Sequence, residues 1–253
     1  MRLQHVRFAA ITLIVAALAV STWVAKAEAE EGFTSLFNGK DFTGWTVPEG
    51  DNGHWRIVDG VIDYDAESEA PGKDKNLWTE KEYGDFVFRC EWRIKETPYL
   101  NPRIPVLRFD GSHKLDAAGK PITLTMPDSD SGIYIRGSSK AQINIWCWPC
   151  GSGEVYGYRM DQSQPSEVRA GVTPKLNADH DIGQWNKFEI TLRGETLSVV
   201  LNGKQVLENA RLPELPSTGK IALQHHGSKK DGQWTSPPAL VQFRKIEIKE
   251  LTK

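Results

Sequence analysis

The stretch "DFVFRCEWRI", Asp85 to Ile94, decides the fold class. Phe86, Phe88, Cys90, Trp92 and Ile94 alternate with Val87, Arg89, Glu91 and Arg93. A repeat of two sends successive side chains to opposite faces, so this is a strand with one apolar and one polar side. The same signal recurs along the chain. "HWRIVDGVIDY" reads as two strands joined at Asp59-Gly60. "SGIYIRG" places Ile133 and Ile135 inward and Tyr134 and Arg136 opposite; "QINIW" places Ile143 and Ile145 inward and Gln142, Asn144 and Trp146 opposite. "KFEITLRGETLSVVLNGKQVL" makes two or three strands with turns at Arg193-Gly194 and Asn202-Gly203. "KIALQHHG" and "ALVQFRKIEIKEL" complete the set. Helical periodicity is scarce. Short strands with frequent turn signals predict an all-β sandwich or jelly roll. Tyr99 to Asp128, rich in Pro, Gly and Lys, reads as a long insertion with a small hairpin at "HKLDAAGKPITL".

The N-terminus carries a different pattern. Arg2 and Arg7 precede an apolar run from Phe8 to Val24, followed by small-x-small sites at Ala25-Lys26-Ala27 and Ala27-Glu28-Ala29. This predicts a signal peptide over residues 1–29 and export to a periplasmic or extracellular space, the alternative being an uncleaved N-terminal anchor. No later segment is apolar enough to span a bilayer. Residues 30–253 then form one domain, about 225 residues with a sizeable core. The net charge of −2, with signs interspersed, argues against a nucleic-acid partner. Nine Trp are present, most of them expected in the core.

Cys147 and Cys150 form a C-x-x-C in "INIWCWPCGSGEVYGYR". Zinc would need further ligands at the right spacing, and a redox centre would need a helix that Pro149 and the following glycines deny. In an oxidising compartment a local disulfide is the expected reading, with two free thiols or redox or metal chemistry as alternatives.

The polar faces of the strands carry Arg89, Glu91, Arg93, Tyr134, Arg136, Gln142, Asn144 and Trp146, joined by Gln224 and His226 unless a bulge substitutes His225. An ordinary solvated face is rich in Lys, Glu, Ser and Thr. This one offers directional donors and aromatic plates, which suit sugar hydroxyls and ring C–H faces if the strands are neighbours.

The ordered series "GFTSLFNGKDFTGW", "HWRIVDGVI", "EYGDFVFRCEWRI", "DSGIYIRG", "GQWNKFEITLRGETLSVVLNGKQV", "GKIALQHHG" and "VQFRKIEIKEL", from Gly32 to Leu251, resembles the 3-keto-disaccharide hydrolase domain family. The resemblance implies a concanavalin A-like jelly-roll sandwich of two antiparallel sheets. It also implies cleavage of glycosides oxidised to a ketone at C3. The family's usual acidic strand appears here as Ala141-Gln142-Ile143-Asn144, without its Glu. For such chemistry the expected base is His226, with His225 as substitute, since an imidazole of pKa about 6.5 suits proton abstraction. Arg136 is the expected enolate stabiliser. Glu91 is a general acid or an orienting group, and Asp130 a second acid. Arg93, Tyr134, Gln142, Asn144, Trp146 and Gln224 would hold the sugar, with Tyr156 capping the cleft. No motif predicts a metal or an organic cofactor; "DKNLWTEKEYGD" is a poor calcium signal. The expected partners are an oxidised carbohydrate substrate and a sugar dehydrogenase that makes it. A non-catalytic carbohydrate-binding module and a laminin-G-like adhesive domain are the competing readings.

Overall fold

The computed structural model describes residues 32–252. The expected signal peptide and its cleavage sites lie outside them. Among the described residues no helix is long and apolar enough to cross a membrane. The chain runs through β1 (Thr34–Ser35), β2 (Trp45–Thr46), β3 (Trp55–Val58), β4 (Val61–Tyr64), β5 (Leu77–Tyr83), β6 (Phe86–Ile94), β7 (Tyr99–Pro105), β8 (Thr123–Asp128), β9 (Asp130–Ile135) and β10 (Ser138–Trp146). Two short helices follow, α1 (Tyr156–Met160) and α2 (Ser166–Gly171). Then come β11 (Asn186–Arg193), β12 (Thr196–Leu201), β13 (Lys204–Arg211), β14 (Gly219–Leu223), β15 (Ser228–Lys230), β16 (Gln233–Ser236) and β17 (Val241–Glu250).

Two antiparallel sheets face each other. The first has the order β13-β12-β11-β6-β17-β4-β3, with β1 also on β17; the second has the order β10-β9-β14-β5-β2. The all-β sandwich expected from periodicity is the structure observed. Alternation holds strictly in β6, where Phe86, Phe88, Cys90, Trp92 and Ile94 are buried and the residues between them are half-exposed. Ile133, Ile135, Ile143, Ile145, Ile221 and Leu223 of the second sheet meet that layer from the other side. Asn202 and Gly203 both have positive φ, as do Asp59 and Gly60, which is the geometry of tight primed hairpin turns.

The insertion is more regular than its composition suggests. β7 pairs with β8, and isolated bridges at Leu107↔His113 and Leu115↔Pro121 extend the ladder into a long arm. The tip of this arm, at Gly111, rests against Arg159, Arg169 and Thr173.

Gly132 lies at the centre of β9, and a Cβ there would come within 2.7 Å of both Gln142 Nε2 and the Ile143 carbonyl oxygen. We predict that Gly132→Ala destabilises the fold by about 1–3 kcal/mol. That should lower Tm by about 2–4 °C per kcal/mol. An unchanged Tm would show that the β9–β10 contact has room to spare.

Candidate active site on the outer face of the second sheet

The site follows from register. Gln142 pairs with Tyr134, Tyr134 with Ala222, Ala222 with Trp78, and Trp78 with Thr46. These five side chains form one rung on the outer face of the second sheet. One rung further, Asn144 pairs with Gly132, whose carbonyl accepts the Gln224 N–H at 2.9 Å. On the next rung Trp146 pairs with Asp130, and His226, just past the end of β14, places Nε2 3.8 Å from Asp130 Oδ2. Strands distant in sequence thus bring Asp130, Tyr134, Gln142, Asn144, Trp146, Gln224 and His226 to one face of the sheet, where Asp130, Tyr134 and His226 are partly exposed and the other four are buried.

The His226 tautomer is fixed by its neighbour. Nδ1 lies 2.6 Å from the Pro237 carbonyl oxygen, which can only accept, so Nδ1 carries the proton. A neutral His226 therefore presents a bare Nε2 lone pair beside Asp130. Asp130 Oδ1 is buried with no hydrogen-bond partner among the described residues, while about a quarter of the side chain reaches solvent. Burial pushes the Asp130 carboxyl up to about 6; His226 opposes the shift and nearby Asp128 adds to it. Asp128 itself is held by Asn101 Nδ2 at 2.7 Å and Trp148 Nε1 at 3.3 Å.

A hydrogen-bond chain crosses the middle of the face. Gln142 Nε2 donates to Gln224 Oε1 and to the Ser131 carbonyl. Tyr134 is the ladder partner of both Gln142 and Ala222, so its ring stands on this face beside the Gln142–Gln224 pair. Burial and the field of Asp130 push Tyr134 up to about 12, so it stays a neutral donor. Trp78 stacks on Tyr134 with ring centroids 5.9 Å apart, and its N–H is anchored on Asp74 at 2.8 Å. At the β10 end, Trp146 and Trp148 stack at 3.9 Å and 5°, and Tyr156 meets both edge-on. Ile143↔Val155 adds residues 153–155 as a short extra edge, setting Glu154 beside Asn144. Glu154 is fully buried, bonded to Arg159 Nε at 2.5 Å, and pushed up to about 7 by burial.

Four expected site residues lie elsewhere. Glu91 and Arg93 are on β6, which pairs with β11 and β17 in the first sheet, so they face solvent on the opposite side of the sandwich. Period-two alternation assigns a face but not a sheet. Glu91 is clamped by Arg244 and Lys245, both at 2.7 Å. Burial alone would raise its carboxyl, but hydrogen bonds from these two residues hold it below its ordinary range. Arg93 bonds Gln242 at 2.6 Å and lies over the Trp185 ring. Arg136 is also displaced: it sits six residues from Asp130 along β9, about 20 Å. It is 2% exposed and spends its donors on the carbonyls of Gly84, Gly194 and Pro216 and on Asp85. His225 turns inward, with Nδ1 2.5 Å from Tyr64 Oη, and burial pushes its pKa down to about 4.

The disulfide is corrected as well. Cys147 and Cys150 are free thiols. Cys147 lines a cavity with Trp146 and Trp148, whereas Cys150 faces a separate cleft beneath Val106 and Phe109. Burial raises both thiols, Cys147 to about 12. Alkylating the unfolded, unreduced protein should therefore label Cys90, Cys147 and Cys150. Labelling of Cys90 alone, with an intact mass two hydrogens lower, would restore the bridge.

Trp78, Asp128, Trp148 and Glu154 were missed by the sequence reading. Trp78 was findable, because "LWTEKEY" puts it on the polar side of its strand. Glu154 was not, because only the tertiary bridge at Val155 places it.

The model of a family described as the 3-keto-alpha-glucoside-1,2-lyase-like domain matches residues 32–249. No curated protein is significantly similar to the chain. Two solved structures of proposed glycosyl hydrolases from Parabacteroides distasonis share the fold at 20% identity each. One covers 87% of this chain and 84% of its own with a TM-score of 0.52. The other covers 88% and 95% with a TM-score of 0.51.

Proposed function

The chain belongs to the 3-keto-alpha-glucoside-1,2-lyase-like family, and from that premise we propose that it cleaves glycosides carrying a ketone at C3, on the outer face of its second sheet. The observation that carries this reading is the pairing of a tautomer-fixed His226 with an Asp130 whose carboxyl is raised toward neutrality.

A C3 ketone acidifies the C2 proton. His226 Nε2 takes that proton, and the electron pair moves onto the ketone oxygen as an enolate. The Tyr134 hydroxyl, a neutral donor on the rung of Gln142, donates to that oxygen, taking the role that Arg136 is too distant to fill. The enolate then expels the C1 substituent, whose oxygen takes a proton from Asp130. Raising a carboxyl toward neutrality is how an acid is kept available for such a step. Water adds to C1 with Asp130 as base, and His226 returns the proton to C2. The sum is hydrolysis, with the ketone regenerated. Trp78 and Tyr134 offer stacking surface, and Asn144 lies between them and the aromatic wall.

The substrate requires prior oxidation, so a sugar dehydrogenase is the proposed upstream partner. The N-terminal pattern supports a periplasmic or extracellular location. Incubation with a 3-keto-disaccharide tests the reading. Release of both sugars supports it; saturable binding without turnover would make the chain a carbohydrate-binding module instead.

A further inference from the structure

A cavity of about 380 Å³ opens at the end of the sandwich, beyond the last rungs of β6 and β10. Its walls include Trp92, Trp146, Trp148, Asp179, His180 and Asn186. Ligand pockets span about 300–1,000 Å³, so this one has room for a single sugar ring but not a chain.

Three features mark it as a built site. Trp92 is 1% exposed, yet its indole N–H has no partner among the described residues, whereas buried indole donors are normally paired. His180 gives its Nδ1 proton to the Trp185 carbonyl at 2.9 Å, leaving Nε2 as an acceptor. Asp179 commits Oδ2 to the Ser152 N–H at 2.8 Å and retains its other oxygen. A flat aromatic wall completes the lining: Trp146 stacked on Trp148, which is in turn anchored on Asp128. Plates, one orphan donor and several acceptors suit a neutral hydroxylated ring. Asp179 and Asp181 line the cavity and, among the described residues, no Lys or Arg does, which disfavours an anion.

Position links this cavity to the chemistry. Trp146 is the ladder partner of Asp130, so one wall residue of the cavity has its backbone about one strand spacing, 4.8 Å, from that of the acid that would protonate the leaving group. We infer that this cavity is the leaving-group subsite and that the leaving group is a neutral monosaccharide. The inference rests on the reaction proposed above.

The test compares a 3-keto-disaccharide with the matching methyl 3-keto-glycoside, using wild type and Ile182→Trp. Ile182 lines the cavity and is 46% exposed, so a larger side chain there obstructs it without touching the core. The variant should lose about ten-fold or more in kcat/KM for the disaccharide, or about 1.4 kcal/mol, and stay within about two-fold for the methyl glycoside. Equal effects on both substrates, or none, would overturn the subsite. If wild type cleaves neither substrate, the proposed reaction fails. The cavity is then judged by saturation-transfer NMR with free glucose. A signal abolished by Ile182→Trp sustains a sugar site, and no signal with wild type removes it.

Discussion

His226→Ala should lower turnover of a 3-keto-disaccharide by about 10²–10⁴-fold, the usual worth of a positioned general base, while the protein stays folded. The substitution removes one hydrogen bond, to Pro237, from a half-exposed ring. That bond contributes about 0.5–1.5 kcal/mol, so Tm should fall by only a few degrees. The loss should appear in kcat more than in KM, because Nε2 acts on the C2 proton rather than on the sugar's hydroxyls. His225→Gln is the control. It should perturb the Tyr64 contact between the sheets and leave chemistry nearly intact. A catalytic loss confined to the His225 variant would reverse the assignment.

Arg136→Met should have the opposite profile: a large loss of stability with little change in kcat for the folded enzyme. The buried guanidinium satisfies the carbonyls of Gly84, Gly194 and Pro216 and pairs with Asp85 at 2.7 Å. It joins the β5–β6 turn, the β11–β12 turn and the segment before β14. Met fills similar volume but supplies no donor. Asp85 is partly exposed and can turn to water, whereas the carbonyls cannot all do so. Breaking such a buried pair costs about 3–5 kcal/mol, which corresponds to a Tm decrease of roughly 6–20 °C. Activity assayed below the new transition should match wild type. A normal Tm with a collapsed kcat would return Arg136 to the reaction.

The contrast between these two residues shows what periodicity can and cannot reveal. Alternation in β6, β9, β10 and β14 placed each side chain on the correct face of its own strand, and the hairpin turns at Asp59-Gly60 and Asn202-Gly203 were legible from residues that tolerate positive φ. Strand order was not legible, since pairing depends on which apolar faces meet in three dimensions. That is why Glu91 and Arg93 looked like neighbours of Tyr134 and His226 yet lie on the far side of the sandwich. Distance along a strand was the second blind spot. Arg136 shares β9's outward parity with Asp130 but stands near its opposite end, where positive φ turns the chain. The cysteines failed for a third reason: proximity in sequence says nothing about whether two thiols point the same way. Glu154 and Arg159 were invisible because no local pattern announces a segment that completes a sheet edge from a loop.

The central claim is that proton abstraction at C2 by His226 starts the reaction, and solvent isotope tests it most directly. Cleavage of a 3-keto-disaccharide in D₂O, followed by NMR of the keto-sugar product, should show deuterium at C2 with wild type and almost no product with His226→Ala. Product that retains C2 hydrogen at full turnover, together with no slowing of cleavage when the substrate carries deuterium at C2, would contradict the account, because retention alone can come from His226 returning the same proton whereas the absence of both signals means that the C2–H bond is not broken.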